Sequence, residues 1–137
     1  MKILFIGDIV GSPGRKCVAA LVPRLRRERE VELVIANGEN SAHGAGLTGA
    51  TVQELFAAGV DVITSGDHVW DQKEVYAIIE REPRLLRPLN LPPTALGRGS
   101  VVVTVADRFA VGVISLIGRV FMPPNDCPFR AVQAEIA

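Results

Sequence analysis

Three short apolar runs in the first seventy residues each end in side chains able to hold a metal ion. Ile3-Leu4-Phe5-Ile6-Gly7 leads to Asp8, and Leu33-Val34-Ile35-Ala36 leads to Asn37-Gly38-Glu39-Asn40. Val60-Asp61-Val62-Ile63-Thr64 leads to Ser65-Gly66-Asp67-His68. In an open α/β sheet, ligands bind in the crevice beyond the carboxyl ends of the strands. Three consecutive strand ends would therefore deliver their side chains to one place. Carboxylates, an amide and a histidine gathered there point to a metal-dependent enzyme site. Two of them also have a plainer reading, Asp8 as a turn residue before Gly and Pro and Asp67-His68 as a helix entry with a solvated histidine, whereas Glu39 directly after a buried strand gains nothing from packing.

The elements that must position these residues alternate. Helical patterning over 15–29 places Val18, Leu21, Val22 and Leu25 on one side, with Pro23 expected to kink the helix or remove a hydrogen bond. Arg24, Arg26, Arg27 and Arg29 suit the negative end of its dipole. A strand follows at 33–37, then a helix at 49–58 capped by Thr48 and closed by Gly59. A third strand covers 60–65, and Asp71 is placed to cap a helix over 72–82 that Pro83 ends. This order predicts an α/β fold, parallel βαβαβα with right-handed crossovers. Residues 83–99, rich in proline and glycine, read as an ordered loop. Val101–Val105 and Phe109–Ile114, separated by Ala106-Asp107-Arg108, predict a β-hairpin. A further loop leads from Gly118 to Cys127 and a helix begins near Pro128.

Composition excludes several classes. The chain has 137 residues, 48% hydrophobic and 22% charged, with room for one domain and a modest core. Lys+Arg and Asp+Glu stand at 15 each, so nothing marks an electrostatic surface for duplex nucleic acid or an anionic membrane. No run approaches membrane-spanning length, and the apolar stretch after Met1-Lys2 is too short for a signal peptide. Cys17 and Cys127 lie far apart, as expected of two reduced thiols in a cytoplasmic protein. His43 reads as a surface histidine in a glycine-rich loop, and Trp70 as a packing anchor beneath the site.

One rival remains on the residues alone. Gly44-Ala45-Gly46-Leu47-Thr48-Gly49 fits a dinucleotide-binding pattern, with Asp67 about twenty residues on as the ribose-binding acid. Against a Rossmann-like domain, six residues separate these glycines from their strand, and Glu39 would repel a pyrophosphate.

Longer motifs carry a resemblance. Gly7-Asp8-Ile9-Val10-Gly11-x-Pro13-Gly14-Arg15, Ile35-Ala36-Asn37-Gly38-Glu39-Asn40 and Trp70-Asp71-Gln72-Lys73-Glu74 are similar to the YmdB-like branch of the calcineurin-like metallophosphoesterases. Arg84-Leu85-Leu86-Arg87-Pro88 and Gly118-Arg119-Val120-Phe121-Met122 extend the likeness over essentially the whole chain. The resemblance implies an α/β sandwich around two divalent metal ions and hydrolysis of phosphodiesters, notably 2′,3′-cyclic nucleotides such as 2′,3′-cyclic AMP. By the same resemblance Asp8 binds the first metal, Glu39 bridges both, and Asn40 completes the contacts from the second strand. Position 67 binds the second metal, and His68 donates the proton to the leaving oxygen.

The chain departs from the family in two respects. Asp67 stands where the family has asparagine, adding a negative charge and weakening the metal as a Lewis acid. The family's other metal ligands are histidines in a C-terminal half, whereas this sequence holds only His43 and His68. Fe and Zn occur in the family, but Asp8, Glu39, Asn40 and Asp67 form an all-oxygen set that favours Mg²⁺ or Mn²⁺. The sequence is therefore expected to be the N-terminal portion of a metallophosphoesterase, a partial sandwich with weak or absent turnover. A catalytically inactive nucleotide- or phosphate-binding module is the alternative. An unpartnered sheet edge near 101–117 is expected to make the chain marginally stable or to drive homo-oligomers.

Overall fold

The structure, a computed structural model, describes residues 1–137. Four strands, β1 (Ile3–Ile6), β2 (Leu33–Asn37), β3 (Val62–Thr64) and β4 (Leu85–Leu86), form one sheet in the order β1-β2-β3-β4. All neighbours are parallel, with Ile6 beside Ala36, Asn37 beside Thr64 and Thr64 beside Leu86. The carboxyl ends of the first three strands consequently lie side by side.

Both faces of this sheet are covered, which explains the unbroken apolar run in β2. On one face, Val34, Ala36, Ile63 and Leu85 meet Val18 and Val22 of α1 (Gly11–Arg29), Val52 and Leu55 of α2 (Gly49–Ala57) and Val75 of α3 (Val75–Ile78). On the other, Leu33, Ile35, Val62 and Leu86 meet Val105 and Val113 of the antiparallel hairpin β5 (Ser100–Val105) and β6 (Phe109–Ile114). Alternate residues of one strand thus feed different cores. The cover stops short of β1, where Ile3 and Phe5 are 46% and 61% exposed.

Several expectations hold closely. Thr48 caps α2, its hydroxyl accepting from the Thr51 N–H at 3.2 Å, and Gly59 takes a φ of 99° just beyond the helix. The hairpin turns through Ala106-Asp107-Arg108, with Ala106 and Asp107 both at positive φ (50° and 53°), which suits the twist of the flanking strands. Helix α1 continues through Pro23, whose missing N–H falls on an exposed face, and ends at Glu30 in the left-handed region. A final helix, α4 (Pro128–Ile136), begins at the expected proline. Cys17 and Cys127 are both free thiols. No helix is long and apolar enough to cross a membrane.

Three expectations need correction. Helix α1 starts at Gly11 rather than 15, because Gly11 at φ 53° donates to the Asn40 carbonyl (2.9 Å) and the chain coils immediately. Of the helix expected over 72–82, only the single turn α3 is α-helical, preceded by a 3-10 turn at Asp67–Trp70. Its intended cap, Asp71, is occupied by the His68 ring instead. Within the 83–99 segment, Leu85–Leu86 form β4, a strand too short for sequence periodicity to reveal. The hairpin, as expected, forms its own two-stranded layer, stacked face-on against the parallel strands.

Candidate functional site

Backbone hydrogen bonds stitch the three strand ends together. Ile9 N–H donates to the Asn37 carbonyl (3.0 Å), Gly11 N–H to that of Asn40 (2.9 Å) and Gly38 N–H to that of Thr64 (3.0 Å). Asp8 sits at the crossing with a φ of 23°, a strained value for a residue with a side chain, though aspartate tolerates it better than most. The loops after β1, β2 and β3 are therefore one connected surface.

Two side-chain pairs stand on it. Asn40 Nδ2 donates to Asp8 Oδ1 at 2.7 Å. Glu39 accepts from Asn37 Nδ2 at 3.2 Å and from the His68 backbone N–H at 3.3 Å. Gly66 lies directly beneath the Glu39 carboxylate: a Cβ there would come under 3.0 Å from both its oxygens. Only glycine leaves that space open.

His68 is oriented by a neighbour one turn along. Its Nδ1 lies 2.6 Å from Asp71 Oδ2, while Nε2 is 3.9 Å from Asp67 Oδ2. The Asp71 hydrogen bond holds the imidazole pKa above its ordinary value; burial opposes this, and the charges of Asp67, Asp71 and Glu39 add to it. The ring thus keeps a proton readily, with Nε2 free of any hydrogen bond within the chain.

The sequence-derived residues are not all brought into contact. Asp8 joins Asn40, and Glu39 joins the His68 backbone, but Asp67 is exposed and touches only the His68 ring. No three His, Cys, Asp or Glu side chains are arranged to hold a metal ion by themselves. The amides alter that balance. Asn40 Oδ1 and Asn37 Oδ1 are buried with no partner, a cost of about 1–3 kcal/mol each unless something donates to them. A hard divalent cation is attracted to oxygens of this kind, so the chemistry of the donor set fits such an ion.

Sequence reasoning did not foresee three supports. Asn37 steadies Glu39, Gly66 makes room for it, and Asp71 holds His68. The spacing of His68 and Asp71, three apart, was the one available signal. His43 is exposed in its loop, away from these contacts, and Trp70 stacks on Tyr76 at 5.0 Å while packing against the core. Arg15, the one cation of its motif, is committed elsewhere: it pairs with Glu54 at 2.5 Å and donates to the Ser41 carbonyl.

The glycine-rich rival also resolves. Gly46 packs against Gln72 and Asp71, Gln72 Nε2 donates to the Ala45 carbonyl at 3.0 Å, and the first turn of α2 is closed by Thr48 and Thr51. Gly46 at least serves loop packing, its space taken by Gln72 and Asp71.

The fold places the chain among phosphatase-like α/β proteins. It superposes on a solved structure described as a novel phosphatase of Mycoplasma pneumoniae with a TM-score of 0.89 and 33% identity, covering 99% of this chain and 50% of that one. The profile of the YmdB-like protein family matches residues 4–137, and the chain belongs to that family. It is 46% identical over 137 residues to the 2′,3′-cyclic-nucleotide 2′-phosphodiesterase of Bacillus subtilis (strain 168), covering all of this chain and 52% of that protein. A solved hypothetical protein of Thermus thermophilus superposes with a TM-score of 0.92 at 41% identity, over 99% of this chain and 52% of that one. The chain thus spans about half the length of the relatives it matches.

Proposed function

We propose that this chain carries the strand-end half of a metal-dependent phosphodiesterase site for 2′,3′-cyclic nucleotides. The observation that carries the reading is the buried, unpartnered Asn40 Oδ1 beside the Asp8 carboxylate, next to a histidine held by Asp71. Asp8, Glu39, Asn40 and Asp67 would hold two divalent ions, with Mg²⁺ or Mn²⁺ matching the oxygen donors. When bound, those ions neutralise and polarise the phosphate. The likeness to the Bacillus subtilis phosphodiesterase supports the substrate class.

The chain's own residues have distinct tasks. Gly66 and Asn37 keep Glu39 in one position, and Asn40 does the same for Asp8. Water adds to phosphorus and gives up a proton to solvent, the bond from phosphorus to the ribose 2′-oxygen breaks, and that oxygen takes up a proton. His68 supplies it from Nε2, since Nδ1 is held by Asp71. Asp71 stabilises the protonated ring beforehand and so acts as a positioning residue.

The test is hydrolysis of 2′,3′-cyclic AMP with added Mn²⁺. Turnover that disappears in Glu39→Ala and falls about 10²-fold or more in His68→Ala is expected. Turnover that survives both substitutions would overturn the assignment. The second reading, a phosphate-binding module without turnover, draws on the lack of any three acid or imidazole side chains grouped for a metal. Nucleotide binding that persists unchanged in EDTA, without hydrolysis, would favour it.

A further inference from the structure

Beside the candidate site, a cavity of about 120 Å³ opens next to Asp67. Val69, Trp70, Leu91 and Ile117 form its apolar wall, and Asn125 closes one side. Its lining includes Gly66, the residue lying against the Glu39 carboxylate, so cavity and site adjoin through that glycine. At roughly 30 Å³ per water in the liquid, the space holds only about four waters. That is too small for a whole nucleotide and suited to one planar ring system.

The cavity is firmly built. Asn90, buried to 1% exposure, ties its walls together: Nδ2 donates to the carbonyls of Ile117 (2.9 Å) and Asp126 (2.8 Å), and Oδ1 accepts from Ile117 N–H (2.9 Å). Trp70 is braced by Tyr76, their rings stacked 5.0 Å apart at 23°. An aromatic wall in an apolar slot is chemistry that takes a nucleobase by stacking, with little dependence on which base.

We infer that this cavity is the base subsite of the candidate phosphodiesterase, holding the nucleobase against Trp70 while the cyclic phosphate lies at Asp8 and Glu39. The inference rests on the reading of the site given above. Recognition here is by shape rather than by a hydrogen-bond code. The Asn125 amide is already used, donating to the carbonyls of Gly118 (3.2 Å) and Pro123 (3.0 Å) and accepting from Asn90 (3.1 Å). Asp67 also lines the cavity, but it is exposed, so a hydrogen bond from the base to it competes with water and discriminates little. Without a buried polar group dedicated to the base, adenosine and guanosine should bind within about fivefold of each other.

Trp70 is the only tryptophan in the chain, so its fluorescence reports on this subsite alone. The experiment titrates the intact chain, in EDTA, with adenosine, guanosine and ribose 5-phosphate. Saturable quenching by both nucleosides and none by the base-free sugar phosphate is expected. Leu91→Phe, which fills the cavity, should weaken adenosine at least tenfold. Should that variant not fold, methyl NMR of the wild type serves in its place, with adenosine shifting the Val69 and Ile117 signals. Quenching by ribose 5-phosphate equal to that by adenosine, or shifts confined to other methyls, would overturn the subsite. So would the absence of quenching at millimolar adenosine. Glu39→Ala separates the two readings: retained quenching with lost turnover supports both. Quenching by a wild type that never hydrolyses 2′,3′-cyclic AMP keeps the subsite and removes the phosphodiesterase.

Discussion

Nδ1 of His68 lies 2.6 Å from Oδ2 of Asp71, and this contact gives up a helix cap to hold a ring. The aspartate that could have started a helix at residue 72 fixes the imidazole instead, leaving Nε2 free at the rim of the site.

The metal-free protein should show that coupling in an NMR pH titration. His68 is expected to titrate above its ordinary value of 6.5, and Asp71→Asn to bring it back down. Because the folded-state pKa is raised, the pair stabilises the fold fully below the unfolded value. The contribution fades as pH rises through the folded value. The Tm gap between wild type and Asp71→Asn should therefore be largest at acid pH and close at alkaline pH; a gap that widens with pH would contradict the assignment.

Gly66→Ala should push the Glu39 carboxylate out of place, since the new Cβ would come under 3.0 Å from both oxygens. Gly7→Ala is the control, because a Cβ there meets nothing within 4 Å. In thermal melts with Mn²⁺, the first variant should lose the metal-induced rise in Tm and the second should keep it.

Asn40→Ala removes one buried, unpartnered oxygen together with the donor that holds Asp8. A ligand that binds only the folded state stabilises it by about 2.7 kcal/mol at a hundredfold excess over Kd. Mn²⁺ titration followed by calorimetric Tm should show such a shift in the wild type and little of it in Asn40→Ala or Glu39→Ala. An equal shift in all three would place the ion elsewhere.

Phe5 is 61% exposed on an edge strand, and Ile3 beside it is 46% exposed. Unpaired edges with apolar side chains favour association. Sedimentation velocity should show concentration-dependent self-association that Phe5→Lys reduces. A wild type that stays monomeric across the range would count against it.

The core offers a stability test apart from the site. Leu55 is fully buried between α2 and the sheet, and Leu55→Ala should cost about 2–5 kcal/mol, read as a lower denaturation midpoint in urea.

Much of this was legible because the signals are local. The apolar strands, the Thr48 cap and the Gly59 stop depend on residues within a turn or two of each other, as do the hairpin and its short turn. What was missed depended on partners distant in sequence or on elements too short to have a period. Leu85–Leu86 become a strand only because Ile63 and Thr64 offer an edge to pair with. Of the 72–82 helix only Val75–Ile78 remains, an element of four residues and too short to have a period. The glycine pattern at 44–49 misled because a motif does not show what packs on it; Gly46 is there for Gln72.

By itself the sequence determined the alternation of strands and helices, the family, and which side chains arrive at the strand ends. It could do so because periodicity and turn chemistry are written in neighbouring residues. The tertiary structure alone decided which of those side chains meet. It paired Asp8 with Asn40, seated Glu39 over Gly66, and left Asp67 at the mouth of an apolar cavity beside Trp70. The first two of those relations join residues about 30 positions apart, and only the register of parallel strands fixes distances of that kind.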